Sequence, residues 1–277
     1  MYCVDTLYRK GKRIDFINEV RDYDRDIVIM FHGFPDDSFG FSSQIESLKD
    51  KFNVVAPFMH GVLNGESVSD EQISIRELIL DVLFLINHFN TDGKKRVILM
   101  GHDLGSFTVV GVYDSIPYQI KALIHINGLG LQQYYSRKGS LSQWLKSYYV
   151  LLIQSNFMQW IVKTVFPNFF LGLIYDLSKV DSLERSNKKV LSSIRIYKHL
   201  FRRVFSYIGS PISKIEIPTL FVWGHEDRFL NIPTMNEVNT FYKNGELRVL
   251  RGGHWAHHSS EKHFNRVLST WLGAHCE

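Results

Sequence analysis

Apolar residues along this chain fall into two patterns, short unbroken runs and sets spaced at helical intervals. The first unbroken run is Asp26-Ile27-Val28-Ile29-Met30-Phe31, which ends at His32-Gly33. It is repeated at Phe52 to Phe58, Arg96-Val97-Ile98-Leu99-Met100, Lys121 to Ile126, Pro218 to Trp223 and Leu247 to Leu250. A run without polar alternation suits a strand buried on both faces. Between the runs, Phe39, Ile45 and Leu48 have helical spacing within Ser38 to Asp50. Ser69 to Phe89 predicts a long helix, with Ser69 as N-cap and Glu71 in the first turn. Further helices are expected from Leu104, over Pro233 to Tyr242, and over Ser259 to Leu272. Near the start, Thr6-Leu7-Tyr8 and Ile14 to Ile17 flank a glycine turn at Gly11 and predict a hairpin.

Alternating strands and helices predict an α/β fold with a mostly parallel central sheet and helices on both faces. The alternation stops over Leu131 to Lys214, which reads as helices only, rich in Tyr, Phe and Trp. The expected organisation is a core of residues 1–130 and 215–277, with a helical lid of residues 131–214 inserted between two strands.

Composition narrows this picture. A chain of 277 residues, 45% hydrophobic, can build one large buried core. The net charge of +4 comes from scattered Lys and Arg. No dense basic run with interleaved aromatics is present, so a nucleic-acid partner is not expected. Two cysteines, Cys3 and Cys276, make no disulfide framework and suit a reducing cytoplasm. Charged residues from Asp5 to Glu19 leave no signal-peptide stretch at the start. Tyr148 to Tyr175 is long and apolar, but Gln154, Asn156, Gln159, Lys163 and Pro167 would be costly in hydrocarbon. We read that stretch as amphipathic helices facing an apolar pocket, not as a stable membrane span. A homodimer is left open.

The candidate chemistry begins at Gly101-His102-Asp103-Leu104-Gly105, between a buried strand and a helix. That is the context of a nucleophile elbow, with glycines where a Cβ would clash and the tip at a helix N-terminus. The tip residue is Asp103, and the residue type is informative. A serine that attacked an sp³ carbon would leave an ether, which water does not readily cleave. A carboxylate leaves an ester, which water cleaves at the carbonyl. An Asp nucleophile therefore points to displacement at carbon, by epoxide opening or carbon–halogen cleavage. The alternative is an Asp that only caps the following helix.

The loops after the last two strands carry Gly224-His225-Glu226-Asp227 and Gly252-Gly253-His254. Chain order assigns Asp227 as the orienting acid and His254 as the base that activates the hydrolytic water. Glu226 lies one position early, and Asn127, after an earlier strand, lacks the charge. The backbone N–H groups of Phe34, in His32-Gly33-Phe34-Pro35, and of Leu104 would form the oxyanion hole. Pro35 could set a tight turn there. His254, His257 and His258 raise the question of a metal, but no carboxylate or thiol is suitably spaced in the sequence, so none is expected. His257 and His258 are expected at the surface.

Together, His32-Gly33-Phe34-Pro35, Gly101-His102-Asp103-x-Gly105, Gly224-x-x-Asp227 and Gly252-Gly253-His254 resemble the epoxide hydrolase and dehalogenase branch of the α/β hydrolases, over essentially the whole chain. The resemblance implies an α/β-hydrolase core with a lid, a covalent alkyl ester on Asp103, and no cofactor or metal. Epoxide hydrolases hold the epoxide oxygen with two lid tyrosines. Tyr149, in Tyr149-Val150-Leu151-Leu152-Ile153-Gln154, and Tyr197, in Ile196-Tyr197-Lys198, resemble those two sites in context and spacing; Tyr148 is the substitute for the first. Haloalkane dehalogenases usually place Trp after the nucleophile and Asn in the first oxyanion loop; here these are Leu104 and Phe34. Haloacetate dehalogenases place Arg near the nucleophile, where this chain has Leu104 and Phe107. The loop from His60 to Ser67 departs from the family's shorter stretch. The expected activity is addition of water to a small apolar epoxide. The rivals are a hydrolytic dehalogenase with the same triad and a non-catalytic ligand-binding protein of the same fold.

Overall fold

The computed structural model describes residues 2–22, 24–34, 36–59, 74–94, 96–136, 155, 157, 160–161, 164 and 214–276. Strands β1 (Val4–Arg9) and β2 (Lys12–Glu19) form the expected hairpin, turning through Lys10 and Gly11 at φ 50° and 76°. Two successive positive φ angles match the right-handed twist of the flanking strands. The unbroken apolar runs become β3 (Ile27–Phe31), β4 (Asn53–Pro57), β5 (Val97–His102), β6 (Ile120–Ile126), β7 (Ile215–Gly224) and β8 (Tyr242–Leu250). The strands form an eight-stranded sheet in the order β1-β2-β4-β3-β5-β6-β7-β8. Only the β1–β2 and β2–β4 pairs are antiparallel.

Why the runs carry no polar alternation is visible in the packing. On one face Ile27, Ile29, Phe31, Val97 and Leu99 pack with Leu78, Val82 and Leu85 of α2 (Ile75–Phe89) and Val109 and Val112 of α3 (Leu104–Ser115). On the other, Val28, Met30, Ile98 and Met100 pack with Ile45 and Leu48 of α1 (Ser42–Leu48). They also meet Phe264, Leu268 and Leu272 of the C-terminal helix (Glu261–Cys276). Successive strand side chains thus enter opposite layers, and both layers are dry.

Two boundaries differ from the expectation. Helix α2 starts at Ile75, not near Ser69: Ser74 is extended, at φ −148° and ψ 155°, and its side chain accepts the Glu77 N–H. Ser74 is therefore the N-cap, while Ser69 and Glu71 lie outside the described residues. Strand β8 starts at Tyr242, well before Leu247. Its first half is the polar stretch Lys243-Asn244-Gly245-Glu246, which an edge strand tolerates because one side faces solvent.

The insertion between β6 and β7 is described mainly at α4 (Leu131–Ser136). No helix among the described residues is long and apolar enough to cross a membrane. Cys3 is exposed, Cys276 is buried, and both are free thiols. The sheet order fixes where a ligand would sit. From β3 the chain moves outward to β4 and then crosses back to β5 on the other side of β3. The carboxyl ends of β3 and β5 therefore diverge into a crevice, the usual ligand position in such sheets.

Candidate active site

Asp103 stands at that crevice, in a backbone conformation of φ 48° and ψ −115° that L residues rarely adopt. The turn is held by close backbone approaches. A Cβ at Gly101 would lie 2.6 Å from the Gly105 backbone, and a Cβ at Gly105 would lie 2.0 Å from the Phe31 carbonyl oxygen. Neither position admits a side chain without displacing the elbow. The Asp103 N–H donates to the Ile126 carbonyl (3.1 Å), tying the turn to the next strand.

The side chain of Asp103 makes no capping hydrogen bond to α3. One oxygen, Oδ2, accepts the Phe34 N–H at 3.2 Å, and the other, Oδ1, lies 3.6 Å from His254 Nε2. The carboxylate is thus turned away from the helix and toward the loops after β3 and β8. Leu104 opens α3 with its side chain buried; its N–H belongs to the first turn, where backbone donors have no partner inside the helix.

Behind His254 stands Asp227, whose Oδ2 lies 2.9 Å from His254 Nδ1. Asp227 is buried and fully coordinated. Its Oδ1 accepts the N–H groups of Phe229 (2.8 Å) and Leu230 (3.0 Å), and its Oδ2 also accepts Asn127 Nδ2 (2.7 Å). Burial alone would raise the Asp227 carboxyl, but the His254 charge and these hydrogen bonds outweigh it and hold it below the usual carboxylate range. For His254 the balance is the mirror image. Burial lowers the imidazole, yet Asp227 and Asp103 on its two sides push it up to about 10. The ring is wedged by Phe229 and Trp255, with centroids 5.0 and 4.9 Å away.

Several expected residues fall elsewhere. Tyr149 and Tyr197 lie outside the described residues, as do Tyr148, Pro35 and the loop from His60 to Ser67. Glu226 is exposed and lies 3.6 Å from His225, while Asp227 is the carboxylate that meets His254. His257 and His258 are not surface residues of the ordinary kind: His257 is fully buried and the His258 side chain is 21% exposed. Contrary to expectation, a carboxylate does stand beside them: Asp36 Oδ2 lies 3.8 Å from His257 Nε2 and 3.5 Å from His258 Nε2. Spacing along the chain could not show this, since Asp36 follows β3 and the histidines follow β8.

Asn127 lacks the charge an orienting acid needs, and the structure gives it a different place. At φ 42° just past β6, it donates to Asp227 and accepts the Gly224 N–H at 3.3 Å through Oδ1. The available signal was positional: a polar residue at the carboxyl end of a central strand.

With this geometry in place, comparison with known proteins decides the family. The sequence pattern of the alpha/beta hydrolase fold matches residues 26–261. This chain belongs to the α/β hydrolase fold family. Within it, the α/β hydrolase is 21% identical to mouse (Mus musculus) epoxide hydrolase 4, covering 98% of this chain and 79% of the relative. It is 26% identical to the AB hydrolase superfamily protein YfhM of Bacillus subtilis, covering 90% and 91% respectively. Its fold superposes on the crystal structure of Bacillus megaterium epoxide hydrolase with a TM-score of 0.78, at 18% identity, covering 97% of this chain and all (100%) of the other. The α/β hydrolase is therefore epoxide hydrolase-like in sequence, and its fold is that of the family.

Proposed function

We propose that this α/β hydrolase adds water to a small apolar epoxide through a covalent ester on Asp103. The observation that carries the reading is the orientation of Asp103. At a strained elbow tip it leaves its helix uncapped and faces an imidazole 3.6 Å away that a buried carboxylate holds from behind.

In the first step an Asp103 oxygen attacks an epoxide carbon, the carbon–oxygen bond breaks, and the ring oxygen leaves as an alkoxide. Tyr149 and Tyr197, on the lid we assign to residues 131–214, supply its proton. In the second step His254 takes a proton from water, which adds to the ester carbonyl. The Phe34 and Leu104 N–H groups hold the oxyanion that forms. The intermediate collapses: the alkoxide oxygen leaves the carbonyl carbon with the proton held by His254, the acid proton left on Asp103 returns to the tyrosinate, and the diol departs from the restored carboxylate. Alkylation removes one of the two negative charges that flank His254, which weakens the upward push on the imidazole at the step that needs a base.

The test is a screen of epoxides and organohalides that follows diol and halide together. The reading expects diol from epoxides. Halide release without diol would move the assignment to a dehalogenase with the same three residues, and binding without either product would mark a ligand-binding protein.

Asn127 acts in this scheme as a positioning residue. Hydrogen bonds to charged groups contribute about 1.5–3 kcal/mol, so Asn127→Ala should slow ester hydrolysis by roughly tenfold or more as Asp227 loosens its hold on His254. Alkylation, which needs no base, should change little. Rapid-quench mass spectrometry of the alkylated enzyme separates the two steps. Equal slowing of both would assign Asn127 a general structural role instead.

A further inference from the structure

Beside the elbow, four groups from three segments of the chain converge. Asp36 comes from the loop after β3, His102 from the elbow, and His257 and His258 from the segment after His254. Asp36, His102 and His257 are all buried, and one ligand atom from each lies within 4.8 Å of the others. The carboxylate is held in place: Oδ1 accepts the Asp37 N–H at 2.8 Å, and a Cβ at Gly40 would lie 2.6 Å from it. His102 Nε2 pairs with the His254 carbonyl at 3.0 Å, which fixes the ring. Among the described residues, His102 Nδ1, His257 Nδ1 and His258 Nε2 have no hydrogen-bond partner. His257 turns its other nitrogen, Nε2, toward the carboxylate, and buried polar nitrogens such as His102 Nδ1 and His258 Nε2 are costly to leave without partners unless something binds them.

We propose that Asp36, His102 and His257, with His258 at the solvent edge, form a binding site for a divalent transition-metal ion of the zinc type. Donor chemistry fits, since imidazole nitrogen with one carboxylate oxygen suits such ions. The spacing fits as well. Donors bound to one tetrahedral ion at about 2.0–2.2 Å stand roughly 3.3–3.6 Å apart. The separations of Asp36 Oδ2 from His258 and His257, 3.5 and 3.8 Å, are already close to that, and closure onto His102 takes a small further contraction. The partly exposed His258 gives the ion an entry path. Bound there, the ion would clamp the loop of Phe34, the elbow of Asp103 and the segment of His254 to one another. This is a structural site beside the reaction centre, and it does not depend on which reaction the enzyme performs.

The test is titration of the chelator-treated full chain with Co²⁺, a spectroscopic stand-in for Zn²⁺. Saturable ligand-field absorption is expected at about one ion per chain, displaced by Zn²⁺, with a rise in the thermal midpoint. His257→Gln should weaken binding on the order of 100-fold, and Asp36→Asn similarly. If burial prevents those variants from folding, His258→Gln at the exposed edge should still weaken it by roughly tenfold. His225→Gln, on an exposed loop, is the control and should bind as the parent does. Absence of saturable absorption, or binding unchanged by His257→Gln and His258→Gln, overturns the proposal and leaves the cluster as a packed or water-filled polar core.

Discussion

His254→Gln is expected to consume about one equivalent of epoxide and then stall with Asp103 alkylated, because a carboxylate nucleophile needs no base and only the second step does. Steady-state turnover should fall by roughly 10²–10⁴, the usual contribution of a positioned general base. The geometry makes the separation clean. His254 Nε2 is 3.6 Å from Asp103 Oδ1, close enough to deliver water to the adjacent carbonyl, while Phe34 orients the other oxygen without help from the imidazole. Intact-mass measurement should show the chain heavier by one substrate, and peptide mapping should place the addition at Asp103. Normal turnover, or failure to form any adduct, would remove His254 from the role assigned to it.

The second large effect concerns the lid. Tyr149→Phe with Tyr197→Phe removes both proposed proton donors and keeps the apolar wall. An alkoxide is far more basic than a phenolate (tyrosine pKa ~10), so the donated bonds strengthen as charge builds on oxygen. Alkylation should slow by roughly 10²–10⁴, while substrate binding suffers less. Each single variant should keep part of the rate. A halide leaving group needs no proton. A double variant that reacts nearly as fast as the parent, with halide released by the parent, would therefore place the enzyme among the dehalogenases.

Much of the fold was legible because burial on both faces leaves a direct trace in the chain. Runs such as Ile27 to Phe31 and Ile98 to Met100 alternate between two dry layers, so no polar residue interrupts them. The elbow was legible for a related reason: only glycine fits at Gly101 and Gly105, and the required spacing marks the residue between them. What escaped the sequence depends on contacts between distant segments. The N-cap Ser74 was hidden by an equally acceptable serine at position 69, and β8 by the polar stretch from Lys243 to Glu246 at the sheet edge. Asn127 looked unsuited to the site for want of charge, but its task is to hold a charge that belongs to Asp227. Asp36 carried no signal toward His257 and His258, because only the packing of the loop after β3 against the segment after β8 brings them together. The assignment of Tyr149 and Tyr197 continues to rest on resemblance in context and spacing.

The central claim is that Asp103 is the nucleophile and that water attacks its ester at the carbonyl carbon. A single turnover in ¹⁸O-labelled water, with enzyme in excess over epoxide, tests it most directly. The account predicts label in the Asp103 carboxylate, found by peptide mass spectrometry, and a first-turnover diol whose new oxygen comes unlabelled from the enzyme. A labelled diol with an unlabelled Asp103 would show that water opens the epoxide directly, and would contradict the ester route.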